Sequence, residues 1–250
     1  MAKTLTPPSK EKIMTHYILV HGAWEGAWSW NETRPTLEQN GHKVTAVALP
    51  GSPENEQSLS QVTMNSYVQT VVDALNQAEG QVKLVGHSLA GAIISQAAEQ
   101  VPDKIEKLYY VAAFLLENGD SILEAMQRDP DGEFLPELTF AEDQSYATAS
   151  ETTWRSKAFH DVTEKDIQSA LSYIKDLPQA TEPFVSKVAV TDENFGRLPK
   201  VYIRTSLDKM VSPTLQDEML GNWKVEHIHT LEAGHFPTLS LPKQLAELLL

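Results

Sequence analysis

The chain of 250 residues contains no cysteine. A disulfide, a thiolate nucleophile and a cysteine-ligated metal are therefore excluded, and the absence fits a reducing compartment. Basic residues are also scarce, with 20 Lys and Arg against 34 Asp and Glu, which gives a net charge of −14. Nucleic acids and anionic membranes bind basic surfaces. We therefore expect neither nucleic acid nor a membrane as a partner.

Long apolar runs are missing too, since none is long enough to span a bilayer. Residues 1–13 are polar and lack the apolar centre of a secretory signal. We predict that residues 1–13 form a loose extension and that the protein is cytoplasmic. The sequence does have 41% hydrophobic residues, enough for a sizeable core. Its length suits one large α/β domain or two small ones.

The stretch from Val82 to Gln100 gives the clearest indication of function. An apolar run at 82–85 predicts a buried strand, and the small and apolar residues at 89–99 predict a helix packed closely against a sheet. Between them, Ser88 would lie on a sharp turn, with Gly86 and Ala90 small enough to relieve backbone clashes. An ordinary strand-to-helix turn with a solvent-facing serine would give the same pattern. The rest of the chain has to distinguish the two.

Predicted strands and helices alternate along both ends of the chain. Further strands are predicted at 17–20, 43–49, 107–112, 201–205 and 225–231. Further helices are predicted from 28 to about 41, at 63–78, from 212 onward and at 242–249. This alternation predicts an α/β fold, with a mostly parallel six-stranded sheet, right-handed crossovers and helices on both faces.

The alternation is interrupted in the middle of the chain. Between about 117 and 195 no strand is clear, while helical patterns occur at 121–128 and 164–174. We predict that residues 115–195 form a helical cap, or lid, inserted into a core made of residues 14–114 and 196–250. The alternative is a second structural subdomain with no role in binding.

Three polar residues, Ser88, Asp208 and His235, follow predicted strands directly. Because ligands of open α/β sheets bind beyond the carboxyl ends of the strands, we expect these residues to meet there. Ser88 Oγ would attack an acyl carbon, His235 would take its proton and return it to the leaving group, and Asp208 would orient the imidazole. Each residue alone also fits an ordinary turn or loop. Their joint placement favours the catalytic interpretation.

The loop after the first predicted strand begins with the sequence His-Gly-Ala-Trp at residues 21–24. We predict that the backbone N–H groups of Ala23 and Leu89 form an oxyanion hole. Gly22 would let substrate approach the backbone, and Trp24 would form a pocket wall. Trp28 and Trp30 are interpreted as core residues.

Two further histidines, His227 and His229, share one face of a predicted strand. They lack a third ligand nearby, so we predict no metal site. We also predict no cofactor, since in the predicted chemistry Ser88 is the nucleophile and His235 transfers the proton.

The motifs together resemble the plant methylesterase and hydroxynitrile-lyase family of α/β-hydrolases, including its salicylate-esterase-like members. The resemblance extends from Tyr17 to Leu249 and is carried by residues 21–30, 86–89, 205–209 and 233–235. It implies the α/β-hydrolase fold and the catalytic and oxyanion roles given above. It also places Phe114 in the substrate pocket, to which we add Trp154 of the cap and Phe236.

The chain departs from this family at several positions. Ala90 stands where glycine is usual, and Trp24 where plant members often carry cysteine. The lyases have a threonine after the first-strand histidine and a lysine after the catalytic histidine, whereas this chain has Gly22 and Phe236. Without that lysine, a departing cyanide has no cation to receive it. The resemblance therefore favours an esterase over a lyase.

We accordingly predict a serine carboxylesterase that cleaves small, uncharged aryl or alkyl esters, methyl esters included, through an acyl-enzyme. The acidic composition disfavours anionic substrates. Two alternatives are cyanohydrin cleavage on the same fold and a ligand receptor built on a hydrolase fold. The expected partner is a small-molecule ester, and the sequence leaves a homodimer open.

Overall fold

The computed structural model describes residues 14–250. The predicted extension at residues 1–13 lies outside the described residues. The strands are β1 (His16–Val20), β2 (Lys43–Val47), β3 (Val82–His87), β4 (Ile105–Val111), β5 (Leu138–Phe140), β6 (Tyr146–Ala149), β7 (Gln179–Ala180), β8 (Lys200–Thr205) and β9 (His227–Leu231).

The α-helices are α1 (Arg34–Gln39), α2 (Met64–Gln77), α3 (Ala90–Gln100), α4 (Ile122–Arg128), α5 (Glu151–Thr153), α6 (Glu164–Ile174), α7 (Glu182–Val185), α8 (Pro213–Asn222), α9 (Pro237–Ser240) and α10 (Pro242–Leu249). Short 3₁₀ helices cover Ala27–Trp30, Leu59–Gln61, Pro102–Lys104 and Leu135–Glu137, and π-helical turns cover Trp154–Ala158 and Asp192–Gly196. Among residues 14–250, no helix is long and apolar enough to cross a membrane.

Six strands form one parallel sheet in the order β2-β1-β3-β4-β8-β9. Strand β1 shows how both faces are covered. Ile18 and Val20 belong to the hydrophobic cluster on the side of α2 and α3, whereas Tyr17 and Leu19 belong to the opposite cluster with α10. Successive side chains of a strand point to opposite faces, so an unbroken apolar run is what a doubly covered strand requires. The predicted fold is therefore observed.

Residues 115–195, called the cap segment below, differ from the prediction in one respect. Helices α4 and α6 lie where helical patterns were predicted. The segment also contains a small antiparallel sheet of β5, β6 and β7, so the interpretation that it holds no strand is wrong. These strands are three, four and two residues long. Strands this short cannot display the alternation by which a strand is found in a sequence.

Two charged side chains of the core hold the end of the cap segment at the turn Asp192–Gly196. The carboxylate of Glu99 accepts hydrogen bonds from the N–H groups of Thr191 (2.8 Å) and Phe195 (3.2 Å). The ammonium of Lys200, which is 1% exposed, donates to the carbonyl oxygen of Phe195 (2.9 Å) and to two neighbouring carbonyl groups. Burial lowers the pKa of Lys200 to about 8. The unpaired groups of this short turn are therefore satisfied by side chains from the core.

Candidate active site

The carboxyl ends of three strands bring Ser88, Asp208 and His235 into one chain of hydrogen bonds. Ser88 follows β3, Asp208 lies three residues after β8, and His235 lies in the loop after β9. The distance from His235 Nε2 to Ser88 Oγ is 2.8 Å, and that from His235 Nδ1 to Asp208 Oδ2 is also 2.8 Å. All three side chains are buried, with Ser88 the most accessible at 7% exposed. The residues that the sequence predicted to meet do lie in contact.

Ser88 is held in a strained backbone conformation. Its φ angle is +54°, a value that residues other than glycine rarely adopt. The strain is maintained from both sides, because the Ser88 N–H donates to Val111 O (3.1 Å) and the Ser88 carbonyl accepts from Phe114 N (3.1 Å). Gly91 makes this approach possible, since a Cβ atom there would lie 2.4 Å from Phe114 O. Backbone strain of this kind is concentrated at functional sites.

The Asp208 carboxylate fixes the tautomer of His235. Its Oδ1 accepts the N–H groups of Met210 (2.8 Å) and Val211 (3.0 Å), and its Oδ2 also accepts the hydroxyl of Thr205 (3.0 Å). An ionised carboxylate can only accept hydrogen bonds, so the proton of His235 lies on Nδ1. His235 Nε2 is then left with a lone pair that accepts from the Ser88 hydroxyl. This is the arrangement in which a histidine can act as general base.

The two predicted oxyanion donors, Ala23 and Leu89, both line the space beside Ser88. Within residues 14–250, neither backbone N–H donates a hydrogen bond to a protein acceptor. Trp24, the next residue in the first loop, has a φ angle of +58°, and its N–H donates to Gln179 Oε1 of the cap segment (3.0 Å). Both N–H groups are thus available to a ligand, and the cap helps to hold the loop that carries one of them.

A buried ion pair lies beneath this site. His87 Nδ1 is 2.7 Å from Glu25 Oε1, and His87 Nε2 is 2.7 Å from the backbone oxygen of His235. Carbonyl and carboxylate oxygens are acceptors, so both nitrogens of His87 donate and the ring is an imidazolium. Burial alone would lower the pKa of His87, but Glu25, the carbonyl of His235 and the charge of Asp208 together outweigh burial, and the pKa is raised. Burial would likewise raise the pKa of Glu25, but His87 and neighbouring donors lower it.

The sequence analysis did not identify Glu25 as part of the site. The structure gives the pair a specific task, because His87 holds the carbonyl of the residue that would act as base. On the other side, Asp161 Oδ2 of the cap segment accepts the N–H of Gly234 (2.7 Å). The backbone on both sides of His235 is therefore fixed, once from the core and once from the cap.

We predict that Glu25→Gln lowers the free energy of unfolding by about 3–5 kcal/mol near pH 5.5, because it leaves a buried imidazolium without its counter-ion. Because folding raises the pKa of His87, its protonation stabilises the folded protein below pH 6.5. This stabilisation is lost as the pH rises through the folded-state pKa. Because folding lowers the pKa of Glu25, its ionisation stabilises the folded protein above pH 4.5. This stabilisation is lost as the pH falls through the folded-state pKa. The difference between wild type and variant should therefore be largest between about pH 4.5 and 6.5.

Urea unfolding across pH 4 to 9 measures this difference. Glu38→Gln provides a matched control, since Glu38 pairs with Arg34 at the surface (2.6 Å) and its side chain is 41% exposed. Exposed pairs contribute little to stability. A Glu25→Gln variant as stable as the control at every pH would contradict the assignment of a buried ion pair.

The predicted pocket residues fall into two groups. Trp24, Phe114 and Phe236 line the space at Ser88. Trp154 does not line it, because it packs behind Trp24 with ring centroids 5.7 Å apart. Gly22 lies underneath, where an added Cβ would be 2.8 Å from Ser88 Cβ.

The remaining side chains that line this space were missed by the sequence analysis. They are Glu25, Met126, Phe134, Phe184, Met210 and Val211. Within the described part of the chain, no group of three His, Asp or Glu side chains is placed to hold a metal ion. His227 and His229 lie on β9, with ring centroids 6.3 Å apart.

Comparison with known proteins relates this chain to known sequences. Residues 17–248 match a family model described as the alpha/beta hydrolase family. A relative from Arabidopsis thaliana, named as a chloroplastic methylesterase, is 33% identical and covers 94% of this chain, but the chain spans only 63% of that relative's length. Salicylic acid-binding protein 2 of Nicotiana tabacum is 31% identical, with 94% of this chain and 95% of the relative covered.

The fold is likewise shared with solved structures. The crystal structure of a pyrethroid hydrolase from Sphingobium faniae has a TM-score of 0.83 and 28% sequence identity, and the match covers 95% of this chain and 96% of that one. The resemblance to the plant methylesterase family is thereby confirmed, as is the predicted fold. Since the family match covers almost all of the described residues, the chain belongs to the α/β-hydrolase family.

Proposed function

We propose that this protein hydrolyses small, uncharged carboxylic esters through an acyl-enzyme formed on Ser88. The observation that carries the proposal is the chain of hydrogen bonds from Ser88 through His235 to Asp208, with both distances 2.8 Å. A serine, a histidine and a carboxylate connected in this order are the components of nucleophilic acyl transfer. Relatives named as a methylesterase and a pyrethroid hydrolase support ester chemistry.

In the first half of the reaction, Ser88 Oγ bonds to the carbonyl carbon while His235 Nε2 takes the hydroxyl proton. The carbonyl oxygen becomes an oxyanion, to which the N–H groups of Ala23 and Leu89 donate hydrogen bonds. Asp208 stabilises the imidazolium that forms. His235 then gives its proton to the alcohol oxygen as the C–O bond breaks, which releases the alcohol and leaves the acyl group on Ser88.

In the second half, a water molecule takes the place of the alcohol. His235 Nε2 accepts a proton from this water as the water oxygen bonds to the acyl carbon. When the intermediate collapses, the bond to Ser88 Oγ breaks and His235 returns the proton to Ser88. The products are a carboxylic acid and the regenerated enzyme.

The lining of the space at Ser88 favours an uncharged substrate. Within the described chain, no Lys or Arg side chain lines it, and its charged neighbour is Glu25. A substrate carboxylate placed there would lose its hydration without gaining a cation of its own, because the His87 imidazolium is already paired with Glu25. An ester with no ionised group avoids this cost.

The test is a panel of p-nitrophenyl and methyl esters of varied acyl length, assayed with wild type and with Ser88→Ala. An enzyme gives a burst followed by steady turnover, whereas a receptor that retains the triad gives at most about one acyl group per chain. Absence of turnover on the whole panel would contradict the proposal.

The cytoplasmic location, the homodimer and the division into core and cap at residues 115 and 195 stay predictions.

We predict that cyanohydrin cleavage is slower than ester hydrolysis by about 10²-fold or more. Phe236 occupies the position after His235 and is 1% exposed, with its ring centroid 5.2 Å from that of His87. It offers no cation to a departing cyanide. Assays of mandelonitrile and of the best ester on one preparation measure the ratio. Equal rates would show that His235 alone supplies the charge and would contradict the argument from Phe236.

A further inference from the structure

A second cavity lies beside the space at Ser88, within the cap segment. Its volume, measured as room for the centre of a water molecule, is about 90 Å³, against about 20 Å³ for the space at Ser88. By this measure one water molecule needs roughly 10–15 Å³. The space at Ser88 therefore has room for the ester group and little more, whereas the second cavity, called the outer cavity below, has room for a ring or a short alkyl chain.

The walls of the outer cavity are almost entirely apolar. The cap supplies Leu123, Leu135, Leu138, Phe140, Ala147 and Val185, and the polar lining side chains are Gln144 and Thr181. Among the described residues, no charged side chain lines it. An ionised group would be costly to place here, whereas an apolar group gains from leaving water.

The outer cavity and the space at Ser88 share a wall. Trp24, Met126 and Phe184 line both. Trp24 is fixed, because its Nε1–H donates to Ala147 O (3.2 Å) in addition to its backbone bond to the cap. Met126 is unbranched and has several rotatable bonds, so it is the part of the wall that can move most easily.

The outer cavity also reaches the protein surface. Phe140 and Val185 line it and are 45% and 52% exposed, respectively. Exposed apolar side chains at the rim of a concave surface are typical of binding sites for apolar ligands. The cavity thus connects solvent with the wall behind which Ser88 lies.

We propose that the outer cavity binds the larger, apolar half of the substrate ester, a phenyl ring or a short alkyl chain, while the ester carbonyl lies at Ser88. The proposal rests on the proposed function, since it extends the ester substrate beyond the small space at the nucleophile. Cap residues that do not contact the reacting atoms would then determine how large the apolar half of the ester can be.

Two matched pairs of esters test the proposal on the wild-type protein. Methyl 3-phenylpropanoate is compared with methyl propanoate, and 2-phenylethyl acetate with ethyl acetate. Within each pair only the phenyl ring differs, and the pairs place it on the acyl and on the alcohol side. In at least one pair, kcat/KM should be about 10- to 100-fold higher for the phenyl ester.

Variants that fill the outer cavity should remove this preference. Ala147→Leu fills it from the floor and Val185→Trp from the rim, and each should lower the phenyl-to-plain ratio of kcat/KM by about tenfold or more. Ile228→Trp is the matched control, since Ile228 is 53% exposed on the edge strand β9 and should leave the ratio unchanged. Calorimetric binding of the phenyl ester to Ser88→Ala, with and without Val185→Trp, measures occupancy without turnover.

The outcomes separate the two proposals. If no ester is hydrolysed but Ser88→Ala binds the phenyl ester and Val185→Trp abolishes that binding, the proposed function fails and the outer cavity stands. If every ester is hydrolysed with similar kcat/KM, and neither filling variant changes the ratio or the binding, the outer cavity has no role and ester hydrolysis stands.

Discussion

Replacement of Ser88 by alanine is expected to lower kcat/KM for every ester by about 10⁴- to 10⁶-fold. The hydroxyl lost in this variant is the group that His235 Nε2 contacts at 2.8 Å, and no other serine lines the space at that nitrogen within the described chain. The fold should be unaffected, because serine and alanine bear the same strain at a φ angle of +54°. Steady-state kinetics on purified protein, with thermal unfolding of both forms, measure the two effects.

Ser95→Ala is a suitable control for this experiment. Ser95 is a fully buried serine on α3, the helix that follows Ser88, and its hydroxyl donates to Gly91 O (2.7 Å). Its replacement also removes a serine hydroxyl, here from the helix that follows the turn at Ser88, and should leave kcat within a few-fold of wild type. If Ser88→Ala retained activity comparable to that of the control, Ser88 would not be the nucleophile.

Replacement of Asp208 by asparagine is expected to lower kcat by about 10⁴-fold with little change in KM. Both carboxylate oxygens accept hydrogen bonds, Oδ1 from two backbone N–H groups and Oδ2 from His235 and Thr205. An amide has only one acceptor oxygen, which the two N–H groups will occupy. The NH₂ group then faces His235 Nδ1 and forces the imidazole proton onto Nε2. A protonated Nε2 can no longer accept a proton from Ser88.

Asp217→Asn controls for the loss of a carboxylate in the same part of the chain. Asp217 pairs with Arg204 (2.7 Å) and its side chain is 60% exposed, so its replacement should leave kcat nearly unchanged. Activity of Asp208→Asn within tenfold of the control would show that orientation of His235 does not depend on Asp208.

The sequence predicted the strands and the residues at their carboxyl ends because both are local patterns. A buried parallel strand is a short apolar run, and the turn at Ser88 is surrounded by small residues over a few positions. The order of these elements then brings Ser88, Asp208 and His235 to one edge of the sheet. Trp154 was misassigned because an aromatic residue in the cap can point toward a ligand or toward core, and the sequence does not distinguish the two.

The residues that support the site could not be predicted in this way. Glu25 contacts a residue 62 positions away, Asp161 one 73 positions away, and Gln179 one 155 positions away. Asp161 and Gln179 lie in stretches with no motif of their own, and Glu25, although it lies within residues 21–30, shows no pattern that connects it to His87. Only the packing of distant segments against one another determines which of the many polar side chains become buried partners.

The hydrogen bond from the Gly234 N–H to Asp161 has a consequence for protein engineering. Caps of related hydrolases are attractive segments to exchange when a new substrate range is wanted. Here a transplanted cap without a carboxylate at this point would leave the loop bearing His235 anchored on one side only. Chimeras should therefore retain Asp161, or graft an equivalent acceptor with the new segment, if the recombined enzyme is to remain active.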